Sequence, residues 1–338
     1  MKELLCILHG EDFIKFYLGF YHKGVDSELS AVIINERILN LLNIPLLKSQ
    51  GVKREEPKDD IEVVNDELTV VTKSYNVSTG QMNKRKSIVF KETKGMTGIT
   101  ELKRNLKAYN SLIEKHKITI DLGDGDKECN NIIYKRRFQN NLHTCGRYYT
   151  KSVFQTLPSE CRKSIKIDGE ETAELDIKSA HCTFLSTLDG IILPDDFDSY
   201  TIPKLIELGV SRDFTKGMLF PLLFSKNKLS AIKGIRLKLK EYGLSHLSAE
   251  YMIECFVEHN PFIDEYLFSE RLYGELQYID ASIATLVIDH FTDKGIVVLC
   301  YHDSFVIQKK YKDQLHTKIE DSYLEVLGDT TNLVIREV

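Results

Sequence analysis

Hydrophobic positions along this chain keep a helical spacing in some stretches and short apolar runs in others. Near the start, SAVIINERILNLLNI (30–44) carries apolar residues at helical spacing. Residues 48–67, KSQGVKREEPKDDIEVVNDE, are charged and rich in helix breakers, so residues 46–100 look like an irregular or accessory segment. ELTVVTKSY (67–75) reads as a strand inside it, with a hairpin as one option. TGITELKRNLKAYNSLIEKHKI (97–118) predicts a helix, opened by a threonine and lined by leucines. In KSIKIDGEETAELDI (163–177) two short strands flank a turn-rich DGEE, and KSAHCTFLSTL (178–188) then reads as a helix. Residues 202–295 are mainly helical by pattern. IVVLCYHDSFVIQ (296–308) predicts a hairpin, KDQLHTKIEDSYLEVLG (312–328) a helix and NLVIREV (332–338) a last strand. Strands that flank a helical insertion imply an α+β fold with a small antiparallel sheet. No internal repeat or low-complexity tract is evident.

Composition narrows the class. At 338 residues, 42% hydrophobic and 28% charged, the chain can bury a sizeable core as one large or a few ordinary domains. No apolar run reaches the roughly 18 residues of a membrane span, and the charged opening residues do not read as a secretory signal. Seven cysteines, an odd number with no C-x-x-C spacing, argue against a disulfide framework or zinc site and for reduced thiols in the cytoplasm. A net charge of −5 argues against a nucleic-acid coat over the whole surface but leaves room for a local basic channel. YKRRFQNNLHTCGRYYTK (134–151) is the basic run that would line one; taken alone, a solvated face is the better reading of it.

Three segments carry candidate chemistry. Asp303 sits in the apolar stretch VLCYHDSFVI (298–307), either as a turn former or at a hairpin tip that holds a metal. Asp176 lies where a strand-like stretch meets a helix-like one, so it either caps the helix or shares a cation with Asp303. Two carboxylates with open water positions suit Mg²⁺. In RDFTKGMLFPLLFS, Arg212, Lys216, Phe220 and Phe224 recur every four residues, along one slowly drifting helical stripe. Two cations followed by two rings make a nucleotide face, or else an amphipathic helix with core phenylalanines and solvated cations. Pro221 inside this segment predicts a kink or break after Phe220.

Taken in order, these segments resemble the single-subunit polymerases: family A DNA polymerases and the phage-type single-subunit RNA polymerases. LDIKSAH resembles their first palm motif. The spacing of Arg212, Lys216, Phe220 and Phe224 matches their fingers helix, and His302-Asp303-Ser304-Phe305 resembles the RNA-polymerase form of the second palm motif. TCGRYYTKSVFQTLP (144–158) is similar to the family's T-G-R segment, and the stretch from Leu276 into the hairpin to its closing helix. The match covers roughly residues 140–338.

The resemblance implies a right-hand polymerase with a small antiparallel palm sheet and a mainly helical fingers region. Residues 1–139 would be an accessory or thumb-like region, 140–185 and 296–338 the two parts of the palm, and 186–295 the fingers. Asp176 and Asp303, with the backbone carbonyl of Ile177, would hold two Mg²⁺ ions, with Mn²⁺ as a substitute. Arg212, Lys216, Phe220 and Phe224 would bind the incoming nucleoside triphosphate, and Lys216 would also donate a proton to the pyrophosphate. Arg147, Gln277 and His302 would contact the template and the primer or nascent strand. The expected activity is template-directed nucleotidyl transfer by an intracellular enzyme of a phage or mobile element, with binding that weakens as salt rises. Two departures bear on the sugar. The family's Tyr-Gly is Phe224-Ser225 here, and the position where DNA polymerases carry a glutamate is His181. His181 either hydrogen-bonds a 2′-hydroxyl or is a buried spacer. The Ser304-Phe305 that follows His302-Asp303, together with the missing glutamate, slightly favours RNA synthesis or priming over a small DNA polymerase. A nucleic-acid-binding protein on a decayed polymerase scaffold is the non-catalytic alternative.

Overall fold

The structure is a computed structural model. It describes residues 14–16, 32–34, 61–64, 70–76, 81–87 and 90–91, and then residues 96–338 except 122–124, 130–131, 151 and 270. In the first hundred residues the described elements are strands β1 (Ile14–Phe16), β2 (Val32–Ile34), β3 (Ile61–Val64), β4 (Val70–Asn76), β5 (Gln81–Ser87) and β6 (Phe90–Lys91). β4 and β5 form an antiparallel hairpin, and β1 pairs β2. The helical stretch expected over 30–44 meets β2 instead. Three successive β-branched residues, Val32-Ile33-Ile34, favour a pleated backbone, and the rest of that stretch lies outside the described residues.

From residue 96 onward the expected helices, the two later hairpins and the last strand are present, while the pattern does not predict the four strands between residues 118 and 150. Helix α1 (Ile99–Glu114) buries Ile99, Leu106, Tyr109 and Ile113, the spacing of one helical face. Strands β7 (Ile118–Asp121), β8 (Asp126–Glu128), β9 (Tyr134–Gln139), β10 (Cys145–Thr150), β11 (Ile165–Ile167) and β12 (Glu170–Ile177) lead to helix α2 (Ala180–Leu188). Four longer helices follow: α3 (Arg212–Phe224), α4 (Lys228–Glu241), α5 (Ala249–His259) and α6 (Leu272–Asp293). The chain closes with β13 (Val298–Tyr301), β14 (Ser304–Gln308), helix α7 (Lys312–Leu327) and β15 (Ile335–Glu337).

The main sheet runs β13-β14-β12-β11-β7-β8, every neighbouring pair antiparallel, with β15 also paired to β12. The eight-residue β12 is its spine. Its first residues pair β11, its last three pair β15, and its middle pairs β14. The β11–β12 turn is Asp168-Gly169, both left-handed (φ 55° and 80°), as a two-residue hairpin loop requires. A second sheet runs β10-β9-β3-β6, with β3 and β9 parallel. The boundary expected between 139 and 140 therefore falls at the tip of the β9–β10 hairpin, and β7 and β8 share the sheet that carries Asp176.

The 22-residue helix α6, about 33 Å long, packs against β10 of the second sheet, β13 of the first, and helices α1 and α7. Two buried tyrosines tie the layers together. Tyr109 donates its hydroxyl to the carbonyl of Val298 (2.7 Å) and Tyr134 to that of Cys300 (2.9 Å). These are carbonyls of the edge strand β13, and the tyrosines satisfy groups that an open edge would leave to solvent or another chain.

The break expected at Pro221 does not occur; α3 runs through it to Phe224. Proline in a helix needs room for its ring as well as forgoing one backbone hydrogen bond. Here Pro221 is buried against α4 at Gly234, where an added Cβ would stand 3.1 Å from the ring.

Close approach also sets Gly146, in the β9–β10 hairpin. It is left-handed (φ 86°), and an added Cβ would lie 2.6 Å from the Phe138 ring. Gly146→Ala should therefore destabilise the fold by about 2 kcal/mol or more, from strain and displacement of a core ring. Urea unfolding checks this; an unchanged midpoint would contradict the packing described.

Candidate active site

The β12–β14 register places the two sequence-predicted carboxylates at one end of the main sheet. Asp176 lies directly opposite Ser304, and Asp303 occupies the two-residue turn just before it. The amide of Ile177 donates to the carbonyl of Asp303 (3.3 Å), so the turn is stitched to the end of β12. One residue next to Asp303 and another three residues after Asp176 take the left-handed backbone conformation. His302 precedes Asp303 at φ 59°, and Ser179 precedes helix α2 at φ 53°. Non-glycine residues rarely adopt this conformation, and it clusters at functional sites.

Burial, then the neighbouring Asp303 carboxylate, pushes Asp176 up to about 6, against the pull of Arg336 and Lys216. Two carboxylates at adjoining strand ends suit a hard divalent cation that keeps waters and substrate oxygens as its other ligands. Among the described residues no group of three or more His, Cys, Asp or Glu side chains is placed to hold a metal ion, so the donors here are the two carboxylates.

Arg336 was not anticipated from the sequence. It stands opposite Asp176 on β15, and its Nε (2.8 Å) and Nη2 (2.6 Å) both donate to Asp176 Oδ2. The alternation of a three-residue strand is too short to single it out.

Ser304, on the other flank of Asp176, is buried and donates to Glu174 Oε1 at 2.5 Å. Glu174 is in turn gripped by Arg162 through Nε and Nη2, and that guanidinium lies 3.9 Å from the centre of the Tyr301 ring. Ser304 thus completes a buried polar network beneath the turn.

Helix α3 presents its stripe towards this end of the sheet. Lys216 is exposed, yet its charge is felt at both Asp176 and His181. Arg212 is held by Asp198 through Nε (3.1 Å) and Nη2 (2.9 Å) and lies over the Tyr200 ring. Phe220 is half exposed at 49%, and Phe224 is partly buried. Both rings make edge contacts with Tyr273 of α6, at 5.8 and 4.9 Å between centroids, and Phe224 also meets His181 at 6.0 Å. The four residues share one helical stripe: the charge of Lys216 reaches Asp176, Arg212 is engaged by Asp198, and the two rings face α6. Tyr273 and Asp198 lie far from it in sequence, and no motif marks them.

A buried charge chain lies behind His181. Arg147, at a bulge in β10, donates through Nε to Asp280 of α6 and through Nη2 to His181 Nε2 (3.3 Å). Burial works against the charge of Arg147, but Asp280 and Asp303 together hold its guanidinium charged. Burial pushes Asp280 up to about 6 although Arg147 pulls the other way. Burial, then Arg147, pushes His181 down to about 4, so its ring is neutral near pH 7. Arginine can only donate, so Nε2 accepts and the ring proton sits on Nδ1. His181 is therefore a hydrogen-bond donor through Nδ1.

Other expected residues are placed differently. Arg136 points into the core, bonded to the carbonyl of Gly146 and set against Phe138 and Tyr148, while Lys135 and Arg137 pair with Glu62. Strand alternation splits the basic run, so it is not one continuous charged face. Gln277 is buried beside Tyr273. His302 sits at the hairpin tip with its ring 5.9 Å from that of Tyr149.

Compared with known proteins, the chain matches no family model and no curated protein sequence. Among solved structures it is similar to the POL domain of Pol1 from M. smegmatis in complex with DNA primer-template and dNTP. The two are 12% identical with a TM-score of 0.40, over 70% of this chain and 50% of that one. The likeness is distant, and the chain spans about half the length of that polymerase domain.

Two stability measurements test these electrostatics. The folded state holds the Asp176 proton to about pH 6, above the roughly 3.9 of an unfolded chain. Wild-type stability from this group is thus present below about pH 4 and lost as pH rises through 6. Without added divalent cations, Asp176→Asn should be more stable than wild type at pH 7.5, by about 1–2 kcal/mol. The gap should close near pH 4. Arg147→Ala should cost about 3–5 kcal/mol at high pH by stranding buried Asp280, and less as pH falls, because Asp280 without the guanidinium that holds it down takes up a proton more readily than in wild type. Denaturant melts across pH check both.

Proposed function

We propose that this chain is a metal-dependent nucleotidyltransferase that adds nucleotides to a nucleic-acid strand under the direction of a template. The observation that carries this reading is the meeting of Asp176 and Asp303 at adjoining strand ends, beneath a helix whose stripe begins with Arg212 and Lys216. The motifs quoted from the sequence support it, since they resemble polymerase motifs in the same order. In this reading residues 140–185 and 296–338 act as the palm and 186–295 as the fingers. β7 and β8 extend the palm sheet, and the earlier residues form an accessory region.

Asp176 and Asp303, with the carbonyl of Ile177, would hold two divalent cations. Such cations lower the barrier by activating the attacking hydroxyl and steadying the leaving pyrophosphate. Lys216 neutralises the triphosphate and delivers a proton to the departing pyrophosphate. Arg212, braced by Asp198, meets the same phosphates as a pre-oriented fork. Phe220, Phe224 and Tyr273 form the apolar wall for base and sugar. His181 offers Nδ1–H to a sugar hydroxyl, which favours ribonucleotides. Arg147 fixes the tautomer of His181 and, with His302, lines the approach of the primer or nascent strand. Gln277 acts through Tyr273. Most of the rate gain in such a site comes from positioning and charge neutralisation.

The test is incorporation of labelled NTPs or dNTPs with Mg²⁺ on primed and unprimed templates. Incorporation is expected, with NTPs preferred, and should vanish in Asp303→Asn and fall about 10²-fold in Lys216→Ala. Activity that survives Asp303→Asn would sink the two-cation assignment. Tight template binding with no incorporation under any condition would favour the non-catalytic binding protein.

A further inference from the structure

Asp176 Oδ2 accepts from both Nε and Nη2 of Arg336. A carboxylate oxygen has two in-plane acceptor sites, so this pair of donors uses both. The contact comes from sheet register, because Arg336 lies directly across from Asp176 on β15. Asp176 is mostly covered, with its side chain 14% exposed, whereas Arg336 is 43% exposed and has solvent on one side into which to move. While Arg336 holds Oδ2, Asp176 can offer a cation only Oδ1. Two cations that each take a separate oxygen of Asp176 cannot both bind in that arrangement.

We propose that Arg336 is a gate on the second cation: one divalent ion binds between Asp176 Oδ1 and Asp303, and a second binds only when Arg336 leaves Oδ2. This rests on the nucleotidyltransferase reading for its two-cation site. Charge arithmetic points the same way. Asp176 and Asp303 carry two negative charges, and Lys216 and Arg336 carry two positive ones, so the centre starts near neutrality. A first divalent ion already leaves it positive, and a second is repelled unless new negative charge enters. A nucleoside triphosphate brings that charge and offers Arg336 a phosphate oxygen in exchange for the carboxylate. The gate thereby ties the second ion to the substrate that needs it, and an idle site does not fill with two cations.

Manganese binding tests this without reference to catalysis. The electron paramagnetic resonance signal of free Mn²⁺ is followed as the ion is titrated into the full chain. Wild type should show one tighter site and one much weaker site. Arg336→Gln should tighten the weaker site by about tenfold, and Arg336→Lys, with a single-point donor, should fall between. In an Asp176→Asn background Arg336→Gln should change nothing. Adding nucleoside triphosphate should tighten the second site more in wild type than in Arg336→Gln. Circular dichroism melts confirm that each variant is folded, and Arg336→Lys keeps the test open should the glutamine variant not be. Two equal sites in wild type, or an unchanged or weaker second site in Arg336→Gln, would overturn the gate. Such a result would leave intact any observed nucleotide incorporation. Conversely, the expected Mn²⁺ behaviour without incorporation under any condition would uphold the gate and remove the polymerase reading.

Discussion

The pairing of β12 with β14 is the constraint from which the candidate site follows. Asp176 and Asp303 are far apart in sequence, and only this register sets them together: Asp176 opposite Ser304, Asp303 in the turn before it. A slip by one residue would turn Asp176 to the other face and drive core side chains such as Leu175 and Phe305 into its place. Register is held by apolar residues buried along both strands and by the Ser304–Glu174–Arg162 network beneath the turn. The same layer that secures the fold therefore aims the carboxylates.

Holding charge there works against stability, and the surrounding residues show how the protein compensates. Asp176 is countered by Arg336 from the next strand, and Arg147 by Asp280 from α6. Each pair places one member deeper than the other, so neither charge is simply solvated. Such arrangements contribute little net stability compared with apolar packing but are costly to break on one side. They make sense where a site must present charge to a ligand. His181 fits the same pattern, kept neutral by burial and by the adjacent guanidinium.

Much of this architecture was legible in the sequence because local periodicity decided it. The helices from α1 onward, the Asp168-Gly169 hairpin and the His302-Asp303 turn follow from apolar spacing and turn chemistry. The stripe from Arg212 to Phe224 also followed from spacing alone, and it survived Pro221 because Gly234 leaves room for the ring. What spacing did not show is long-range pairing. Arg336, Asp280, Asp198 and Tyr273 reach the site through tertiary register, and none sits in a pattern that marks it. Arg136 illustrates the converse: charge composition placed it on a surface, yet β9 alternation turns it inward between aromatic rings. Ser304 likewise looked like a hint about the sugar, but its hydroxyl is taken up by Glu174.

The central claim is that Asp176 and Asp303 share divalent cations. The most direct measurement is anomalous diffraction from crystals of the protein soaked in Mn²⁺. The account predicts an anomalous peak within about 2–2.5 Å of an oxygen from each carboxylate. A well-ordered site with no peak between them, or Mn²⁺ bound only elsewhere, would contradict it.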